Sequence, residues 1–472
     1  MRTSYYFCPQ FDLVGNLTIW DLLLSPFYLI ILIALAKRFR DRHYPVGHPL
    51  REYYLKGLYA KFGGAIFIAL LYEFYYPGGD TYNFFTQSKI INSAFSDSFS
   101  IWFKLMLHSP ADADPKLYSY ISQLWWYNDT SSYTISRIGA VLGLLNGTSY
   151  IPIALLFAFL SYSGIWAMYV TFVKIYPTLY KHLALAFLFI PSTFIWGSAM
   201  FKDTVCMFGL GWMTYTTFRL FVDRDFSFKN IILLSISFYL IAIIKIYILL
   251  AFLPAISIWV MLTYSKKIPS VALRWLVNLG FILFSVSLFT YFGQRFAKDL
   301  DEYSLDNIAK KSQKTSGWIT YVSNLQEGSA YDIGTYEPSI QGMLSKFPQA
   351  VNVTLFRPYI WEAKKPIVLL SSFESLAFLG FVLFIFYKNG IGYVFKRIFS
   401  DPNLSFFFIF TLIFAFAVGL STGNFGSLSR YKIPCIPFFG ALLLIIHYSN
   451  KKRINEQATQ RASQKRKVHR IA

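Results

Sequence analysis

Charge is scarce in this chain: Asp, Glu, Lys and Arg make up 14% of its 472 residues, where soluble domains carry about 25%. Hydrophobic residues make up 55%, which excludes a water-soluble fold of this length and makes lipid the fitting solvent. Cysteine is scarcer still. Cys8, Cys206 and Cys435 offer neither a paired framework nor a CxxC, so a disulfide scaffold and a zinc site are excluded and the three read as packing residues. A P-loop and a Rossmann glycine fingerprint are both missing, which argues against a nucleotide-driven pump. His43 and His48 lack the spacing of metal ligands and read as solvated. The first residues lack a basic n-region and a small-residue cleavage site, so the first apolar run reads as a retained helix. Acid is the rarer sign, with 24 acidic against 44 basic residues and a formal charge of +20. On a soluble face that surplus would point to nucleic acid. Here the basic residues punctuate the gaps between apolar runs, which is topology, and nucleic acid is not expected as a partner.

What the chain does have is apolar runs. Those long enough to cross about 30 Å of hydrocarbon cover 19–36, 58–76, 150–173, 183–200, 204–222, 231–245, 247–264, 275–292, 366–387, 404–420 and 433–448. They are continuous, unlike the alternating strands of an outer-membrane barrel. The expected fold class is an all-α polytopic membrane protein with about 11 transmembrane helices and amphipathic surface helices in two outer loops. The 20% of aromatic residues suits helix ends in the headgroup region. The stretch 231–264 is too long for one crossing and barely long enough for two. A split near Lys245 keeps Lys266 and Lys267 on the basic side, and Pro254 can kink either version.

Orientation follows the basic residues. Residues 37–61 hold seven basic side chains against Asp41 and Glu52, and the tail after Asn450 holds eight against Glu456; both belong in the cytoplasm. The loop 77–149 holds four basic residues against five acidic ones, and the loop 293–365 is nearly balanced, so both face outward. The organisation expected is an N-terminal helix with a basic cytoplasmic loop (1–57), a transmembrane core (58–264), a second transmembrane region (265–448) and a basic cytoplasmic tail (449–472). The N-terminus is expected outside and the C-terminus in the cytoplasm. Surface helices are expected over 95–107, 117–126 and 340–355, and no internal repeat is visible.

Three segments carry candidate chemistry. In Pro77-Gly78-Gly79-Asp80-Thr81-Tyr82-Asn83, Pro ends a helix, two glycines let the backbone turn close to a ligand, and a carboxylate arrives at the lipid boundary. Asp80 there reads as a general base, or else as the cap of an ordinary polar turn. In the segment from Pro191 to Asp203, a short turn places Lys202 and Asp203 at the outer interface, either to pair with each other or to hold a phosphate and a metal or sugar hydroxyl. The third feature is outward positive charge, where basic residues are normally depleted: Arg357 before the 366–387 run, and Arg430 and Lys432 in Gly423-Asn424-Phe425-Gly426-Ser427-Leu428-Ser429-Arg430-Tyr431-Lys432. An anionic ligand accounts for them, and so does snorkelling to lipid headgroups. Glu374, inside an apolar run, reads as the partner of another helix or the mark of a polar cavity.

Over roughly 58–264 this arrangement resembles the GT-C superfamily of membrane glycosyltransferases, which take sugars from polyprenyl-phosphate donors. In that family an acidic residue opens the first long outer loop, the loop forms surface helices, and a second acid follows a Pro-containing helix; Asp80, the region 84–137 and Asp203 match these positions. Two features depart from the pattern. An extra helix precedes the one leading to Asp80, and Asp80 lacks an adjacent acidic partner, which leaves open whether a divalent metal is used and whether Asp80 or Asp203 would hold it. The resemblance implies an inverting transfer on the non-cytoplasmic face of the membrane, from a lipid-linked sugar donor to a glycan, lipid or protein acceptor, and the short loops and few cysteines fit a bacterial inner membrane. Asp80 would be the base, Lys202, Arg430, Lys432 and Arg357 would stabilise the departing phosphate, and Tyr82 and Trp196 would stack on sugar rings. Two rival functions fit the same features: a polymerase or ligase of lipid-linked glycans, with Arg357 central, and a carrier or flippase of an anionic lipid, with Lys245 and Glu374 the telling residues.

Overall fold

A computed structural model describes residues 17–76, 78–265, 329–334, 336, 337 and 339–449, with a scatter of single positions between 269 and 321. Among them the protein is helical, and the single β-type contact is an isolated bridge between Ala330 and Asn424. The helices used below are α1 (Ile19–His43), α2 (Arg51–Phe74), α3 (Asp80–Asp97), α4 (Phe99–Met106), α5 (Thr130–Leu144), α6 (Tyr150–Ile175), α7 (Tyr180–Leu188), α8 (Pro191–Trp196), α9 (Lys202–Phe221), α10 (Phe228–Ile244), α11 (Ile246–Ser265), α12 (Phe347–Phe356), α13 (Pro366–Asn389), α14 (Ile391–Ser400), α15 (Pro402–Ser421), α16 (Phe425–Tyr431) and α17 (Ile436–Ser449).

Six of these (α1, α2, α6, α11, α13 and α15) are long and apolar enough to cross a membrane, and α16 with α17 makes a seventh if that pair, bent by 69°, is one span. The chain is thus a multi-pass membrane protein by length and composition, with six or seven such helices among the described residues, where the runs of the sequence suggest about eleven spans. Part of the difference lies at proline and polar positions. The run 183–200 is interrupted: Ile190, forced extended by the following proline (φ −71°, ψ 123°), separates α7 from α8. Helix α9 has the length of a span, but its lysine, aspartate, arginine and threonines dilute its apolar character. The break expected near 245 falls at Lys245 itself, between α10 and α11. Most of the run 275–292, Pro77, Lys266, Lys267 and about half of the loop 293–365 lie outside the described residues, as do the first 16 residues and the basic tail.

Helix α6 is the enclosed one, 78% of its most apolar window being buried against 22% for α1 and 28% for α13; α6 therefore sits inside the bundle and the other two face lipid. Helix α9 lies against α6 at backbone contact. A Cβ on Gly211 would come within 2.0 Å of the Gly164 carbonyl oxygen, and one on Gly164 within 2.4 Å of the Phe208 carbonyl oxygen, so only glycine fits this crossing. At the N-terminal ends of α1 and α6, buried Asp21 accepts hydrogen bonds from the Thr18 amide and hydroxyl (2.9 Å each) and from the Ile151 amide (2.9 Å), fixing both ends at one level.

The loop 77–149 folds on itself at that same end. Helices α3 and α5 are tied by Ser88 Oγ donating to the Ser136 carbonyl (2.8 Å) and Asn92 Nδ2 to the Ala140 carbonyl (2.9 Å), and with α4 they enclose a small core of their own that includes Ile91, Ile101, Leu105, Leu117 and Tyr133. Helix α4 is amphipathic, with Ile101 and Leu105 inward and Phe99 and Phe103 exposed. The stretch 117–126 holds only turns and one helical turn, Tyr118–Ile121. The stretch 340–355 is helical, but α12 packs on α15, where Thr354 Oγ1 donates to the Ala415 carbonyl at 2.8 Å.

Candidate functional site

Helix α2 runs out at Phe74, and Gly78 (φ 91°) and Gly79 (φ 132°) turn the chain in the left-handed region, so that Asp80 becomes the first residue of α3. A Cβ on Gly79 would lie 2.6 Å from the Tyr72 ring. The turn and α2 wall an open cavity of about 410 Å³, bordered elsewhere by Trp196 at the end of α8, by Trp318 and Ser329, by Lys365 and Ile367 at the start of α13, by Asn424, and by Ser427, Ser429 and Arg430 of α16. Its lining is mixed: two tyrosines and two tryptophans (Trp196 and Trp318), hydroxyls and an amide, with one carboxylate and two cations.

The charges form a ladder. Arg430 Nη2 donates to Asp80 Oδ2 at 2.7 Å although 350 residues separate them. Arg430 Nε lies 3.2 Å from Asp203 Oδ2, and Lys245 Nζ lies 2.5 Å from Asp203 Oδ1. Asp203 has no exposed surface and Lys245 is 7% exposed, whereas the Asp80 side chain is 45% exposed. The guanidinium also sits 4.8 Å from the Phe201 ring centre. The burial that raises the Asp80 carboxyl is outweighed by Arg430, so it stays below its usual value.

No family model, curated protein or solved structure matches this chain. Its chemistry has to be read from the site.

Of the residues singled out in the sequence, Asp80, Arg430 and Trp196 meet at the cavity. Asp203 lies one layer behind, reached only through Arg430. Lys202 points elsewhere: its ammonium is 2.7 Å from Ser131 Oγ and 3.4 Å from Asp129 Oδ2 at the start of α5. Burial raises the Asp129 carboxyl, but Lys202 and the hydroxyls of Ser132 and Ser131 outweigh it and hold it down at about 2. Tyr82 is buried, with its hydroxyl donating to the Ala69 carbonyl (3.1 Å) and its ring centre 4.5 Å from that of Tyr150, so it offers no face to a sugar. Lys432 has no exposed surface and donates to Ser375 Oγ at 3.0 Å. Arg357 is paired with Glu362 (3.0 and 3.1 Å) and does not line the cavity.

Lys365, Tyr72 and Tyr76 were not singled out, yet all three line the cavity. The tyrosines are i, i+4 partners leading straight into the glycine turn, a spacing that puts both on one face. Lys365 precedes Pro366 at the start of a spanning helix, a position that reads first as a helix boundary.

Helix α8, which carries Trp196, is held at both ends by spanning helices. The Ser192 amide donates to Glu374 Oε2 of α13 (2.8 Å), and Lys61 Nζ of α2 donates to the carbonyls of Thr193 (3.2 Å) and Gly197 (2.7 Å). The carboxylate meets the amide end and the ammonium the carbonyl end, as the peptide dipoles require. Glu374 thus has the helix-pairing role.

As for a metal, the two candidate carboxylates are Asp80 and Asp203. Both already face protein cations, and among the described residues no group of three or more His, Cys, Asp or Glu converges. A divalent ion there would sit against Arg430 and Lys245, so the donor set does not fit one.

Proposed function

We propose that the protein is a GT-C-type membrane glycosyltransferase that moves a sugar from a polyprenyl-phosphate donor to an acceptor hydroxyl, with inversion, on the non-cytoplasmic side of a bacterial inner membrane. The observation that supports this reading best is the pairing of Asp80 with Arg430 on the wall of a cavity that also offers an aromatic face and a row of hydroxyls. A base and a phosphate-binding cation are then within reach of one substrate. Asp80 takes the proton of the acceptor hydroxyl as its oxygen forms a bond to the anomeric carbon. The bond from that carbon to the phosphate oxygen breaks, and its electron pair leaves with the phosphate, whose charge Arg430 and Lys365 offset. Trp196 supplies the face on which a sugar ring lies. Lys202, Lys432 and Arg357, each engaged elsewhere, take no part in this step.

The test is transfer from a synthetic polyprenyl-phosphate sugar by the purified chain in liposomes. We expect Asp80→Asn to cost at least about 100-fold in rate, the scale of general-base catalysis, with insertion into the membrane unchanged. Full transfer by that variant removes the base from the mechanism.

A carrier of an anionic lipid is the second reading. It is favoured by the bent pair α16 with α17, since broken spans often frame transport sites. Movement of the labelled lipid across the bilayer without change to its covalent structure would decide for it.

A further inference from the structure

We propose that Arg430 exchanges partners: an anionic headgroup entering the cavity takes the guanidinium from Asp80, so that binding the phosphate and freeing the base are a single event. The proposal rests on the glycosyltransferase reading and adds to it a reason why the base is engaged before substrate arrives.

Four charges, Asp80, Arg430, Asp203 and Lys245, sum to zero in the ladder. An incoming phosphate adds negative charge beside Arg430, and one carboxylate has to give way. Asp203 is not the one. It has no exposed surface and Lys245 holds its other oxygen at 2.5 Å, so it cannot turn out to water as a hydrated carboxylate. Asp80 is nearly half exposed, borders the cavity, and follows two glycines in left-handed conformation, so it can turn away and be hydrated. Arg430 itself stays put, since Asp203 lies on its Nε and the Phe201 ring lies 4.8 Å from it. Asp203 and Lys245 are therefore positioning residues: they hold the guanidinium while its Nη2 changes hands. While paired, Asp80 is a weak base, because the proton it would accept competes with the guanidinium. Once displaced, it stands beside the substrate as a free carboxylate.

The exchange makes a prediction opposite to that of a simple shared binding site. Binding of geranyl phosphate, a short prenyl phosphate, is measured by calorimetry on the full chain in nanodiscs of neutral lipid. The Asp80→Asn variant, unable to hold Arg430 as an ion pair, should bind it about tenfold tighter, as when a site occupied nine parts in ten by a competitor is cleared. Removing a negative charge strengthens anion binding by plain repulsion too, so the decisive measurement is a double-mutant cycle with Arg430→Gln. That variant leaves Asp203 paired with Lys245 and should fold. In its background the Asp80→Asn effect should fall below about twofold if the two residues act through each other. Equal tightening in both backgrounds, or none in either, overturns the exchange while leaving the transfer reaction itself standing. Absence of geranyl phosphate binding in every variant overturns both.

Discussion

Single residues in this protein divide into those that meet the cavity and those that hold them. Lys245 and Asp203 belong to the second group. Removing one member of a buried pair strands the other, which costs about 3–5 kcal/mol. We expect Lys245→Met to lower thermal stability in detergent steeply and Lys245→Met/Asp203→Asn to recover most of the loss; a double variant no better than the single one would contradict the pairing. Asp129 gives the clearest pH dependence. Its carboxyl is held down at about 2 by Lys202 and the two serines, below the ordinary value of about 3.9. Its contribution to stability is then complete above about pH 4 and is lost as the pH falls through about 2. Melting curves from pH 5 to pH 2 should show the native chain losing its advantage over Asp129→Asn across that window; a constant difference would refute it. Asp80 and Arg430 were legible in the sequence because each stood where its residue type is unusual, an acid at a glycine turn and a cation in an outer segment. The burial of Tyr82 and Lys432 was not, since a tyrosine or lysine near a motif reads the same whether it faces a cavity or a neighbouring helix.

Among the elements, α8 and α9 carry the consequences. Lys61 looked like the last of a run of cytoplasmic charges, but it lies well inside α2, and its ammonium meets the carbonyl end of α8. Nothing local marks that role, because the acceptors are backbone carbonyls more than 130 residues away. Lys61→Met should leave those carbonyls without their donor and loosen α8, which we expect to appear as a gain in quenching of Trp196 fluorescence by acrylamide. The Gly164–Gly211 crossing is equally strict. Gly211→Val would force α9 away from α6, with a loss of about 1–3 kcal/mol, the usual cost of overpacking, measurable as a lower melting temperature. The interruption of the 183–200 run was written at Pro191, and apolarity alone obscured it: a hydropathy window averages across a proline that the backbone cannot ignore.

On the scale of the whole molecule, the helical class and the membrane setting were legible from composition, whereas the breaks within the apolar runs were not. Broken and polar helices such as α7, α8 and α9 fill the bundle without meeting the length and apolarity of a span. The cavity joins α2, α8, α13 and α16, and forming it needs contacts hundreds of residues apart that no run of sequence displays. Sidedness can be checked directly. Ser96 is exposed near the C-terminal end of α3, in the segment that opens at the cavity with Asp80, and Tyr387 lies near the far end of α13, 92% exposed. Ser96→Cys and Tyr387→Cys should react with a membrane-impermeant maleimide from opposite sides of sealed vesicles, and labelling of both from the same side would contradict this arrangement.

The clasp at Asp21 bears on how the protein is made. Its second oxygen waits for the amide of Ile151, 130 residues later in the chain. While the ribosome is still translating the interval, the first helix leaves the translocon with an acid that has only Thr18 for company. The N-terminal helix therefore reaches its final seat only after α6 has emerged, and a nascent chain stopped before that point would carry a loosely docked first span, open to quality-control proteases.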